Sequence, residues 1–102
     1  MININKKIEG STLTLSIFGN LDTVTTPEFE KEIDILRVTE NITELVIDLQ
    51  KLQYTSSAGL RAFLRAQKVM QVRNGSVRII NANKTVLDVL KMTGFDSAIS
   101  VE

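Results

Sequence analysis

The chain of 102 residues contains no cysteine and no histidine. Each absence removes a class of chemistry. Without cysteine there is no disulfide framework, no thiolate nucleophile and no cysteine-based zinc site. Without histidine, the commonest general base and the commonest metal ligand are both missing. Aromatic residues are scarce, at four Phe and one Tyr. Proline occurs once and glycine five times, so no stretch has the composition of a linker or a low-complexity segment. No apolar run reaches the length of a membrane span, and the opening "MININKKIEG" lacks the apolar core of a signal sequence. The expectation is a cytoplasmic protein without membrane insertion, built as one domain over residues 1–102.

The formal net charge is zero, yet the charges are unevenly placed. Residues 1–48 hold nine acids against four bases, whereas residues 49–87 hold seven bases and no acid. Such segregation predicts two solvated faces of opposite sign, or a basic surface that meets a partner. Nucleic acid is an unsuitable partner, because the basic segment is interleaved only with Tyr54 and Phe63 and nothing offsets the zero net charge.

Periodicity gives the elements. "ININ" and "TLTLSIF" alternate polar and apolar residues around "EGS", which predicts a hairpin near the edge of a sheet. Gly19 to Thr26, "GNLDTVTT", reads as a loop. Thr26 before Pro27, with Glu28 and Glu30 following, marks a helix start whose apolar face is Phe29, Ile33 and Leu36. "ELVIDL" is nearly all apolar and suits a central strand buried on both faces. After "KLQYTSS" the period becomes helical, with Leu60, Phe63, Leu64 and Met70 recurring at three- and four-residue spacing. Asn74-Gly75 ends that helix, "SVRIIN" follows as a strand, and "KTVLDVLKMTGF" forms a helix stopped at Gly94. "AISVE" is a last short strand or a tail. The order β-β-α-β-α-β-α, with an optional final β, implies an α/β fold in which crossover helices cover a mixed sheet.

The period changes within "QYTSSAGLRAFL", residues 53–64, where two serines stand between strand and helix. Three roles suit a hydroxyl there. It can cap the helix by accepting a backbone N–H. It can be a nucleophile, although G-x-S-x-G and a histidine base are both missing. It can be modified: a phosphate would meet the free N–H groups and positive end of the helix, with Arg61 one turn along. That group would bring about −1.5 to −2 charges to a surface bearing Tyr54, Ala58 and Leu60.

"FGNLD", "LVIDLQKLQYTSSAGLRAFL" and "KMTGF", in that order, resemble the STAS domain of sulfate transporters and anti-sigma factor antagonists, and the resemblance spans essentially the whole chain. It implies a four- to five-stranded mixed sheet packed against about three to four helices. A domain standing alone is similar to the bacterial anti-sigma factor antagonists, or anti-anti-sigma factors, which regulate transcription by partner switching. Unphosphorylated, such a protein binds an anti-sigma factor with serine kinase activity. Phosphorylation at the start of the second helix ends that contact, and a metal-dependent serine phosphatase restores it. The family's acceptor lies two residues before a Gly-Leu pair, which here is Ser57. Many members have Asp just before it; Ser56 stands there in this chain and is the alternative acceptor. The resemblance implies a partner surface of Asp22, Tyr54, Thr55, Ser56, Ser57, Ala58, Gly59, Leu60 and Arg61. It implies no catalytic residue, metal or cofactor, and a monomer or weak dimer. Asp22 reads equally as a turn former or a partner contact, and Asp48 as a hydrogen-bond acceptor at a strand end. Other readings are a ligand- or nucleotide-sensing STAS domain, for which no Gly-rich phosphate loop is present, and an accessory subunit of a transporter.

Overall fold

The strict alternation at the N-terminus folds as a hairpin. The computed structural model describes residues 2–102. Strands β1 (Asn3–Glu9) and β2 (Thr12–Leu21) pair antiparallel, from Asn3 opposite Phe18 to Glu9 opposite Thr12. Leu13, Leu15 and Ile17 of β2 point into the core, and Thr12, Thr14 and Ser16 point the other way. Helix α1 (Thr26–Arg37) has Pro27 in its first turn and buries Phe29, Ile33 and Leu36 completely. Strand β3 (Glu44–Asp48) lies between β2 and β5 (Ser76–Ile80), parallel to both, and buries Leu45, Val46 and Ile47 in succession. Leu45 and Ile47 join the core, whereas Val46 lies on the opposite face of the sheet, between Thr14 of β2 and Arg78 of β5. Helix α2 (Ser57–Val72) is capped by Arg73 and followed by Asn74, which takes a left-handed conformation with φ 57°. Helix α3 (Lys84–Met92), a 3-10 turn at Phe95–Ser97 and the two-residue strand β6 (Ser100–Val101), parallel to β5, complete the chain.

The sheet is mixed and has six strands, one or two more than expected. Part of the difference is β4 (Leu52–Thr55), a separate strand where the sequence predicted only the end of the central strand that leads into α2. Strand β2 serves two neighbours in turn. Thr12–Ser16 pairs with β3, and Gly19–Leu21 pairs with β4 after a register irregularity at Gly19/Asn20. A turn closed by Leu52 N–H to the Leu49 carbonyl (3.0 Å) brings the chain from β3 to β4 along the same side of β2. The expected loop over Gly19 to Thr26 is therefore corrected: its first three residues are strand and its last begins α1. Gly19, at φ 109°, accommodates the bulge, so a residue that signals a turn in the sequence instead re-aims a strand.

Each crossover moves to the next parallel strand in the same direction, and the right-handed rule then sets α1, α2 and α3 on one face. Phe63 sits at the centre of this layer. Its ring meets Phe29 at 5.6 Å and Phe95 at 6.0 Å between centroids, both edge-to-face. Asn83 fastens α3 in place: its Oδ1 accepts from Val86 N–H (2.8 Å), and its Nδ2 donates to the Leu52 carbonyl (3.0 Å) on β4. Among the described residues, no helix is long and apolar enough to cross a membrane.

Candidate protein-interaction site at the start of the second helix

The switch from β2–β3 to β2–β4 pairing decides where the site lies. Asn20 is opposite Tyr54 and Leu21 is opposite Thr55, so the loop after β2 and the start of α2 emerge side by side. Ser56 N–H donates to the Leu21 carbonyl at 2.8 Å and locks the two segments together. Asp22 follows Leu21, and Ser57 follows Ser56. The structure thus brings Asp22, Tyr54, the serine pair and Arg61 to one end of the sheet, at the C-terminal ends of two parallel strands.

The two serines occupy opposite environments. Ser56 holds the cap position of α2 with extended backbone (φ −90°, ψ 178°), but its side chain accepts no N–H from the helix. Its Oγ is buried and has no hydrogen-bond partner among the described residues. Ser57 is the first helical residue and is exposed. The first backbone bond of the helix runs from Leu60 N–H to the Ser56 carbonyl (3.2 Å), so the N–H groups of Ser57, Ala58 and Gly59 stand ahead of it. Capping, the simplest use of a hydroxyl here, is made by neither side chain.

Asp22 builds the neighbouring loop. Its Oδ1 accepts from Val24 N–H (2.8 Å), Thr25 N–H (2.9 Å) and the Thr25 hydroxyl (3.2 Å). The Thr25 backbone bond is the main cause that holds the Asp22 carboxyl below its ordinary pKa. The turn-forming reading of Asp22 is thus observed directly. Asp48 also acts locally, accepting from Gln50 N–H (3.0 Å) and Asn81 Nδ2 (3.1 Å) at the end of β3.

Residues 3–102 match the STAS domain. The chain belongs to the STAS domain family. It is 28% identical over 104 residues to an anti-sigma-B factor antagonist of Listeria monocytogenes, a match covering 99% of this chain and 90% of the relative. Its fold superposes with TM-score 0.88 on the crystal structure of an anti-sigma factor antagonist from Mycobacterium paratuberculosis, at 22% identity over 99% of this chain and 85% of that one. It superposes with TM-score 0.76 on the Bacillus cell fate determinant SpoIIAA in its phosphorylated form, at 16% identity over 98% and 91% of the two chains.

Not every residue of the expected surface can reach a partner. In this STAS domain Thr55 is 2% exposed and Gly59 is buried, so these two underlie the surface instead of forming it. A Cβ on Gly59 would lie 2.2 Å from Thr55 Oγ1 and 3.0 Å from Leu21 Cβ. Glycine is what lets the first turn of α2 rest directly on β2 and β4. Tyr54 is about half exposed, and Ala58 is partly so. Leu60 is 8% exposed, and Arg61 extends into solvent.

The STAS fold also adds residues that sequence reasoning missed. Val24, at the tip of the Asp22 loop, is 81% exposed. Beside Ser57, a groove of about 320 Å³ runs between Leu60, Arg61 and Leu64 of α2 and Gly94, Phe95 and Ala98 beyond α3. The only sequence signal for this second wall was the "TGF" segment, whose place next to α2 follows from the packing of Phe95 on Phe63.

Proposed function

We propose that this STAS domain is a cytoplasmic anti-sigma factor antagonist, switched by phosphorylation of Ser57. Unmodified, it binds an anti-sigma factor with serine kinase activity. The kinase transfers a phosphoryl group from ATP to Ser57 Oγ, ADP leaves, and the hydroxyl proton goes to a base of the kinase. A metal-dependent serine phosphatase reverses the step by hydrolysis. The domain has no turnover of its own and acts as a monomer or weak dimer.

The observation that carries this reading is the contrast between the two hydroxyls. Ser57 is exposed at the first helical position, whereas Ser56 Oγ is buried and out of reach of a kinase. A phosphate on Ser57 can accept from the N–H groups of the first turn and pair with Arg61, so the modified domain stays folded. The same dianion stands between Tyr54, the Asp22 loop and the groove toward Phe95, and a partner covering these would have to desolvate it. The names of the relatives support the same reading, as does the existence of one of them in a phosphorylated form.

The test is incubation with the candidate kinase and ATP, followed by peptide mass mapping. Phosphate on Ser57, with loss of the complex, is the expected result. Phosphate on Ser56 alone overturns the residue assignment, and phosphate on neither overturns the switch.

A further inference from the structure

The far end of α2, away from Ser57, carries a separate feature. Positions 65, 68, 69 and 72 recur at i, i+3, i+4 and i+7 and so form one stripe of the helix. Arg37 stands across from them in the last turn of α1. Between the two helices lies a half-open groove of about 480 Å³, lined by Arg37, Arg65, Lys68, Val69, Val72 and Arg73.

Its four cations do two different jobs. Arg65 reaches Glu30 (3.4 Å) and Asp34 on α1. Arg73 donates to the carbonyls of Leu36 (2.7 Å), Arg37 (3.3 Å), Thr39 (2.8 Å) and Ile42 (3.3 Å), at and beyond the end of α1. These two arginines build the groove by tying its walls together. Arg37 and Lys68 form no ion pair among the described residues. With them the groove is lined by the apolar Val69, 9% exposed, and Val72, 88% exposed.

We propose that this groove is a second protein-docking surface, which takes an acidic amphipathic helix of a partner protein. A third helix can pack where two already meet. Its apolar stripe would cover Val69 and Val72, as in helix-in-groove recognition, and carboxylates on its flanks would meet Arg37 and Lys68. A flat anionic membrane fits less well, because the surface is a concave groove between two helices. Docking here is independent of the Ser57 switch. Lys68 lies about 16 Å along the helix axis from Ser57, beyond a screening length of about 8 Å at physiological salt.

The experiment titrates the isotope-labelled protein of residues 1–102 with a synthetic amphipathic helix that has Leu along one stripe and Glu on both flanks. The same peptide with Lys in place of Glu is the control. The acidic peptide should shift the amides of Arg37 and residues 65–73 and leave 54–61 unmoved. Arg37→Glu with Lys68→Glu should weaken binding by about tenfold or more, and Val72→Asp should weaken it too, while Ser57→Asp leaves it unchanged. The proposal is overturned if residues 65–73 do not shift, if the basic peptide binds as well, or if Ser57→Asp abolishes binding. It is also overturned if the same shifts appear on concentrating the protein alone, which would make the groove a contact between copies of this chain. Stronger binding to phosphatidylglycerol vesicles than to the acidic peptide, through the same residues, likewise overturns it.

Discussion

Substitution of Ser57 changes a side chain that is exposed and makes no hydrogen bond among the described residues. Ser57→Ala and Ser57→Asp are therefore expected to leave the thermal midpoint nearly unchanged while separating in partner binding. Ser57→Ala should hold the kinase persistently. Ser57→Asp should bind more than about 100-fold more weakly, which corresponds to about 3 kcal/mol, as titration calorimetry would show. Ser56 gives the complementary test. A serine that truly caps a helix costs about 0.5–2 kcal/mol when replaced by Ala, but removal of an unpartnered buried hydroxyl is neutral or stabilising. Urea unfolding of Ser56→Ala should show no loss; a loss of about 1 kcal/mol or more would restore the capping role. Asp22 predicts a pH effect. Its folded pKa is lowered, so its stabilising contribution is present above the ordinary carboxyl range near pH 4 and is lost as pH falls through the folded value. Asp22→Asn should therefore flatten the acid limb of the stability profile, and an unchanged limb would show that the Thr25 bonds carry no weight. At this scale the sequence revealed where hydroxyls stand but not what they touch. That depends on the pairing of Leu21 with Thr55, which local pattern cannot show.

Among the elements, α2 is set by a single small residue. Gly59→Ala supplies a better helix former but drives a methyl into the buried Thr55 hydroxyl and the stiff Leu21 Cβ. The net effect is expected to be a loss of about 1–2 kcal/mol, with partial recovery when Thr55→Ala is added. Full stability of Gly59→Ala would show that α2 does not need this close approach. The seam between α1 and α2 rests on Arg73, whose guanidinium serves four carbonyls. Arg73→Ala should cost about 1.5–3 kcal/mol in chemical denaturation. The elements legible in advance were those with a sustained period, such as α1 with Phe29, Ile33 and Leu36. The strand character before the serine pair was legible, but not that β4 is separate from β3, because four residues bury only Leu52 and Thr55 and their partner is the far end of β2. The cap of α3 was hidden for a related reason: Asn83 is fixed by Leu52, thirty-one residues away.

For the whole molecule, the uneven charge of the sequence acquires a physical meaning that neither solvated faces nor a basic surface fully captured. Basic side chains of the second half cross to acids of the first: Arg65 to Glu30 and Asp34, Arg78 to Glu44 at 2.9 Å. The segregation along the chain is in part a record of which elements lie together. These pairs are part-exposed, so added salt should lower stability only slightly. The centre of the molecule is far less tolerant. Phe63 bridges Phe29 and Phe95, and Phe63→Ala is expected to cost about 3–5 kcal/mol, enough to threaten the fold of a domain this size. The two borders of the sheet carry a further consequence. Each border offers an unpaired row of backbone groups on which a neighbouring molecule could stack and seed fibrils. One border is β1, where every residue but Ile4 is exposed and Lys6 and Lys7 stand mid-strand; the other is β6, two residues long. A charged rim and a truncated rim make poor templates, so the molecule is suited to crowded solution, and a variant with β6 lengthened or the lysines replaced by valine would begin to precipitate there.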